Sequence, residues 1–380
     1  MASAIKPSDF NHIPFTTHFK SMKKVFIGLL ISVSLYTAHA QKNSTAPVIT
    51  RYMLFTGTID KYPVTFHLYQ INNEFSACYY YNSAEEPIDL SGKMDKDHYL
   101  KLNHNSGEDD ILETIEGPFK DSTFSGTWSA KGKMLPFRIT RKKDTSSLVF
   151  DYIWTKGSKK ISQKHEYDPD ELSYEAAVVW PTATSQQSAA NLIREIIRSE
   201  FNNSSKEDIG KILIRQKNEV LNAVKKEDDT QTCEFNATVH IEYRNARLLT
   251  LCTSKYAYNI GAAHGYNSNS YSCIDLINNR KLNITDVLDT LAGRQSLQTL
   301  MQQKIRKLYN VGANENISAY LFSDSIPLSN NFLLTTRGIE FNYNPYAIGP
   351  YAMGIISIYI PFKEISTYLK PEFKQLIGMQ

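Results

Sequence analysis

The chain has 380 residues, 42% hydrophobic and 21% charged, an ordinary globular composition with room for two to three domains. Residues 1–40 hold four of the 42 basic residues (Lys6, Lys20, Lys23, Lys24) and one of the 39 acidic ones (Asp9), so 38 of each remain beyond them and the formal charge of +3 falls to zero. A neutral chain without a long basic run excludes a polyanionic partner, so neither nucleic acid nor an anionic membrane surface is expected.

The start of the chain reads as an address. Met22-Lys23-Lys24 is a short basic region, residues 25–36 (VFIGLLISVSLY) are apolar, and Ala38-His39-Ala40 offers an A-x-A cleavage site before Gln41. This is the layout of a secretory signal peptide over residues 22–40, with an apolar run too short for a comfortable membrane span. Residues 1–21 read as an over-extended start, and no lipid-anchor cysteine follows the cleavage site. The expectation is a periplasmic or secreted bacterial protein with no stable membrane span after cleavage.

Residues 47–142 read as an antiparallel β-domain. In YPVTFHLYQI (62–71), Val64, Phe66 and Leu68 alternate with Thr65, His67 and Tyr69, the period of a half-buried strand, and Asn72-Asn73 suits a tight turn into FSACYYY. Similar short segments follow, with glycines recurring at 57, 92, 117 and 126, as in a β-meander or partly closed barrel. Residues 143–170 are charged and turn-rich and read as a linker. From 171 to 380 the pattern becomes α+β with a mainly antiparallel sheet. A strand is expected at 172–180 and a helix at 185–201 with Ser188 as its cap. A second helix lies within 205–226, followed by strands at 235–244, 247–259 and 266–275. A helix near 294–309, strands around 332–343 and 353–360, and a helix over 363–376 complete the chain.

Four cysteines (Cys78, Cys233, Cys252, Cys273) permit three connectivities. A hairpin turning at Ala262-Ala263 would set Cys252 directly opposite Cys273, where a disulfide fits; two buried thiols on paired strands is the alternative. The sequence has no C-x-x-C, G-x-S-x-G, H-E-x-x-H, P-loop or G-x-G-x-x-G pattern, so no cofactor and no metal is expected. Asp95, Asp97, His98 and His104 crowd one hairpin, but strand alternation sends His98 and the aspartates to opposite faces, the mark of a solvated turn.

Two segments carry the candidate ligand-binding residues. In YNIGAAHGY (258–266), small residues permit a tight turn that presents His264 between Tyr258 and Tyr266, with Gly261 in the bend. In FNYNPYAIGPYAMGIISIYIPF (341–362), two prolines fix the backbone beside Asn344, Tyr346 and Tyr351, whose amphipathic rings suit a recognition surface.

These segments, with YSCIDLINNRKLNITDVL (271–288) between them, resemble the extracellular domain of the lysozyme-sensing anti-sigma factor RsiV, a domain that also accompanies the peptidoglycan deacetylase PdaC. Gly261, His264, Asp275, Lys281, Leu282, Asp286, Tyr346 and Gly354 occupy the matching places, with Ala262 where the pattern has a second glycine. The resemblance covers about residues 170–380. It implies an ectodomain that binds a ligand, lysozyme in the sensor's case. The sigma-binding segment and membrane span of the sensor are not recognised here, nor the metal-binding catalytic domain of the deacetylase. The expected function is therefore a non-enzymatic, secreted cell-envelope protein that binds a lysozyme-like hydrolase or peptidoglycan. The alternatives are a cell-wall hydrolase or deacetylase using His264 near Asp275 or Asp286, and a structural surface protein.

Overall fold

The computed structural model describes residues 48–105, 111–142, 148–161, 169–182, 186–202, 206–222, 232–312 and 314–379. The signal peptide expected at 22–40 and the over-extended start at 1–21 lie outside the described residues. Two compact units divide the chain at residues 144/145, with residues 84–86 grouping with the second.

The first unit is a closed antiparallel barrel. Its strands are β1 (Thr50–Ile59), β2 (Tyr62–Ile71), β3 (Glu74–Tyr81), β4 (Ile88–Met94), β5 (Tyr99–Asn105), β6 (Ile111–Lys120), β7 (Thr123–Ala130) and β8 (Lys133–Arg141). Each strand pairs with the next, and β1 closes onto β8 in a register running from Phe55 opposite Arg141 to Ile59 opposite Phe137. The turn at Asn72-Asn73 forms as expected: Ile71 faces Glu74, and Asn72 takes φ +55, a left-handed conformation that asparagine tolerates.

Alternate residues turn inward. Phe55, Phe66, Tyr79, Phe124 and Trp128 are fully buried, each burial stabilising by roughly 1.5–3 kcal/mol. Phe66 stacks on Tyr79 at 4.5 Å and Phe124 meets Phe137 edge-on at 4.7 Å. The barrel interior is thus a packed core. Gly117 and Gly126 lie where β6 and β7 cross: a Cβ on either would stand 2.1 Å from a carbonyl oxygen of the other strand, so only glycine lets the two backbones approach so closely.

The second unit is built on a six-stranded sheet in the order β14-β13-β12-β11-β10-β9. The strands are β9 (Phe150–Lys160), β10 (Glu171–Pro181), β11 (Thr232–Arg244), β12 (Leu248–Asn259), β13 (Tyr266–Asp275) and the short β14 (Arg280–Lys281). All neighbours are antiparallel except β10 and β11, which run parallel across the crossover that carries α1 (Gln187–Glu200) and α2 (Ile209–Asn222). These helices bury Ala189, Ile193, Ile197, Ile212 and Leu213. α2 packs on β9 and β10: the Tyr174 hydroxyl donates to Gln216 at 3.3 Å and the Tyr174 ring stacks on Phe235.

Beyond β14 come α3 (Ile284–Val287) and α4 (Arg294–Leu308). A three-stranded antiparallel sheet of β15 (Phe332–Leu334), β16 (Gly338–Tyr343) and β17 (Ile356–Pro361) follows, then α5 (Pro371–Ile377). β15 lies against one end of the larger sheet, where the Thr250 hydroxyl donates to the Leu334 carbonyl at 2.7 Å. The fold class is α+β, as the sequence suggests. No helix among the described residues is long and apolar enough to cross a membrane.

Four expectations need correction. Within the segment read as a linker, residues 150–160 form β9, paired along its whole length with β10; its lysines and serines are those of an exposed edge strand. The last helix starts only at Pro371, because proline fits the first helical turn and keeps the residue before it out of helical geometry; residues 362–364 and 366–368 form single 3-10 turns instead. Ser188 sits inside α1, whose cap position is Gln186. Cys252 does not face Cys273: the β12–β13 hairpin turns one residue earlier than supposed, so Cys252 pairs with Tyr271 and Cys273 with Thr250. All four cysteines are buried free thiols, with Cys273 Sγ donating to the Phe332 carbonyl at 3.3 Å.

Candidate binding site

The turn between β12 and β13 and the loop between β16 and β17 build one cluster. In the first turn the Ala262 amide donates to the Asn259 carbonyl at 3.0 Å, and the left-handed conformation falls on Gly261 (φ +81). This explains why alanine is tolerated at 262 while the glycine precedes it. Gly265 is needed for a different reason: the Tyr256 ring lies on it, and a Cβ there would stand 2.4 Å from ring atoms.

The second loop is a turn from Asn344 to Ala347, whose amide donates to the Asn344 carbonyl at 2.9 Å. Pro345 occupies the first central position and Tyr346 the second, with φ +69, where a type II turn ordinarily takes glycine. A tyrosine held in this conformation, 53% exposed, is the strained residue of the cluster.

His264 clusters with two tyrosines. Its ring stacks on Tyr351 with centroids 3.7 Å apart, and Tyr346 completes the group 5.6 Å from Tyr351. The Gly265 carbonyl accepts from the Tyr351 hydroxyl at 2.5 Å and from His264 Nδ1 at 2.8 Å. With the proton on Nδ1, Nε2 accepts from the Tyr346 hydroxyl at 3.3 Å. Burial, with Tyr346 beside it, raises the Tyr351 phenol, and burial followed by the Glu234 carboxylate pushes Tyr256 up to about 12. Both remain neutral hydroxyls at physiological pH.

The other candidates fall elsewhere. Tyr266 pairs with Ala257 and, by alternation, projects from the sheet face opposite Tyr256. Asn344 is a clamp: its amide oxygen accepts from the Asn269 backbone N–H at 2.9 Å and its nitrogen donates to the Asn269 carbonyl at 3.1 Å. Asn331, which the sequence reading missed, does the same one step along, accepting from Tyr271 N–H at 2.8 Å. Together they satisfy the outer edge of β13. Asp275 and Asp286 do not approach His264. They stand at the far end of β13, about 30 Å away by strand rise. There Asp275 accepts from the backbone amides of Ile277 and Asn278, and Asp286 closes a capping box with Asn283 and pairs with Arg280. Asp95 likewise turns its own hairpin, accepting from the amides of Asp97 and Tyr99 at 2.9 Å each.

Residues 275–363 match a family model described as a protein of unknown function, DUF3298. No curated protein matches the chain. A solved member of that family from Bacteroides fragilis shares 20% identity at a TM-score of 0.50, covering 62% of this chain and 98% of its own. A DUF3298 family protein from Pseudomonas aeruginosa is 14% identical at a TM-score of 0.42, covering 59% of this chain and 96% of its own. The match starts at Asp275, the last residue of β13, and runs to Lys363, just past β17, so it takes in Tyr346 and Tyr351 but not His264. Residues 275–363 are thus similar to the DUF3298 family model, and the likeness to the solved Bacteroides protein is one of fold.

Proposed function

We propose that this is a non-enzymatic, secreted cell-envelope protein whose second unit binds a lysozyme-like hydrolase or peptidoglycan. The observation that carries the reading is Tyr346, an exposed aromatic held at positive φ beside the stacked His264 and Tyr351. Backbone strain of this kind persists where the surroundings impose it, and rigid exposed aromatics are the residues on which recognition energy concentrates. Both nitrogens of His264 are engaged by a carbonyl and a phenol, which suits a positioning role. The signal-peptide layout of residues 22–40 supports export.

The test is binding of the full chain to lysozyme, alongside sedimentation with insoluble peptidoglycan. Saturable binding to either, weakened at least about tenfold by Tyr346→Ala as expected for a central aromatic contact, is the expected result. No binding to either ligand would sink the proposal.

A further inference from the structure

The face of the larger sheet that carries Tyr256 changes character along its length. At one end β15 covers it. At the other, the cross-strand register lines up one residue from each of five strands: Asn267 on β13, Tyr256 on β12, Asn236 on β11, Glu175 on β10 and Lys156 on β9. Asn267, Tyr256, Asn236 and Glu175 are half-buried and Lys156 is exposed. The row spans about 19 Å, four strand spacings.

Its neighbours on the same face are of the same kind. Trp154, Thr238 and Ser254 lie two residues along on one side, with the small buried Ala177 between Trp154 and Thr238, and Glu234 and Tyr258 lie on the other; all but Ala177 are half-buried. On the opposite face the alternate residues Tyr174, Ala176, Val178, Ala237 and Val239 are buried. The row is therefore a continuous strip of amides, hydroxyls, carboxylates and aromatic rings.

These groups are held in place by one another. Glu175 accepts from the Trp154 indole at 2.9 Å and pairs with Lys156 at 2.8 Å, and the Asn236 amide donates to Glu234 at 3.1 Å. One end of the row runs into the aromatic cluster, because Tyr256 packs on Gly265, whose carbonyl holds Tyr351 and His264.

We infer that this strip is a track for an unbranched oligosaccharide, with the His264–Tyr351–Tyr346 cluster at one end. The inference rests on the binding function proposed above and names its ligand class. Carboxylates and amides fixed by neighbours accept from and donate to sugar hydroxyls, and aromatic rings offer flat faces to pyranose C–H groups. The strip carries one lysine and two glutamates, so a polyphosphate would be repelled. It lacks the apolar centre around which a protein partner's interface is organised. The width of five strands fits an extended chain of several sugar units.

The probe is the β-1,4-linked N-acetylglucosamine hexamer, titrated calorimetrically into the full chain with the dimer as comparison. The expected result is saturable hexamer binding at least tenfold tighter than the dimer, weakened tenfold or more by Asn236→Ala and by Lys156→Ala. Lysozyme binding should be unchanged in those two variants. Lys156 is on an exposed edge, so its variant keeps the test open if Asn236→Ala fails to fold. Lysozyme or wall binding that depends on Tyr346, with no hexamer binding, would overturn the track and leave the proposed function standing. Hexamer binding lost in Tyr346→Ala but indifferent to both row variants would place the sugar on the cluster alone, and also overturn it. Absence of every form of binding overturns both.

Discussion

Tyr346 separates two contributions that a single alanine variant would merge. Its ring contacts His264 and Tyr351, while its backbone sits at φ +69. Alanine removes the ring and keeps the conformational penalty; glycine removes both. Tyr346→Gly is therefore expected to be more stable than Tyr346→Ala by about 1 kcal/mol, measured by urea unfolding, although both lose the ring. Equal stabilities would show that the turn relaxes once the ring is gone. The bend at this place was readable in the sequence, where Pro345 fixes the backbone beside Asn344 and Tyr346. The cost of filling it with tyrosine was not, because φ is fixed by the hydrogen bond that closes the turn.

At the scale of elements, the register of β12 on β13 decides the fate of two cysteines. A turn centred one residue earlier shifts every pair by two, and the supposed Cys252–Cys273 bridge becomes two thiols buried in separate contacts. Burial pushes the Cys273 thiol up to about 12, so it is poorly nucleophilic. Four reactive thiols are expected on unfolding in guanidinium without reductant, and almost none in the native state; a count of two after unfolding would mean that a disulfide forms. The strand pattern itself was legible wherever one face is apolar: β2, β11, β12 and β13 fall within a few residues of their expected places. β9 was not, because an exposed edge strand rich in lysine and serine has the composition of a linker. The strip from Asn267 to Lys156 was equally hidden. Polar alternation along β11 (Glu234, Asn236, Thr238 against Phe235, Ala237, Val239) signals a wet face, but which residues meet across five strands depends on registers that no single segment encodes. The barrel's strands could be read in order, whereas its closure, a pairing of the first strand with the last, left no local trace.

At the scale of the molecule, the two units carry buried ionisable groups that answer acid in opposite directions. In the barrel, Glu113 is 5% exposed and accepts from the Tyr79 hydroxyl at 2.7 Å and the Trp128 indole at 3.2 Å, with His104 opposite it on β5. Burial raises its pKa, against the smaller lowering effects of Tyr79, His104 and Trp128. The native barrel then holds a proton that the unfolded chain has released, so this contribution to stability is present at low pH and lost as pH rises through the raised pKa. In the second unit, burial lowers His240 from 6.5 to about 3, its Nε2 lying 2.7 Å from the Tyr152 hydroxyl. Here the unfolded chain takes up the proton first, so stability falls as pH drops from 6.5 toward 3. Trp128 reports on the barrel, and Trp154 and Trp180 on the second unit. Urea unfolding followed by tryptophan fluorescence in a Trp128→Phe background and in a Trp154→Phe/Trp180→Phe background therefore reads the units separately. Between pH 7 and pH 4, His240→Gln is expected to lessen the acid loss of the second unit, and Glu113→Gln to lessen the acid gain contributed to the barrel. Unchanged pH profiles in both variants would remove these groups from the account.

The closure of the barrel also fixes the order in which it can fold. Every ladder but one joins strands that are consecutive in the chain, and each can form as a local hairpin. The seam of β1 on β8 brings Phe55 to Arg141 and must wait for the strands between, since its loop-closure entropy is recovered only when the others are in place. Until then the growing sheet has two open edges, which are sites where a second chain can add. The edge that closes last carries Lys133, Pro136, Arg138 and Arg141, three charges and a residue without an amide proton. Such residues discourage pairing between chains. The composition of β8 thus guards the barrel during the interval before its seam is made.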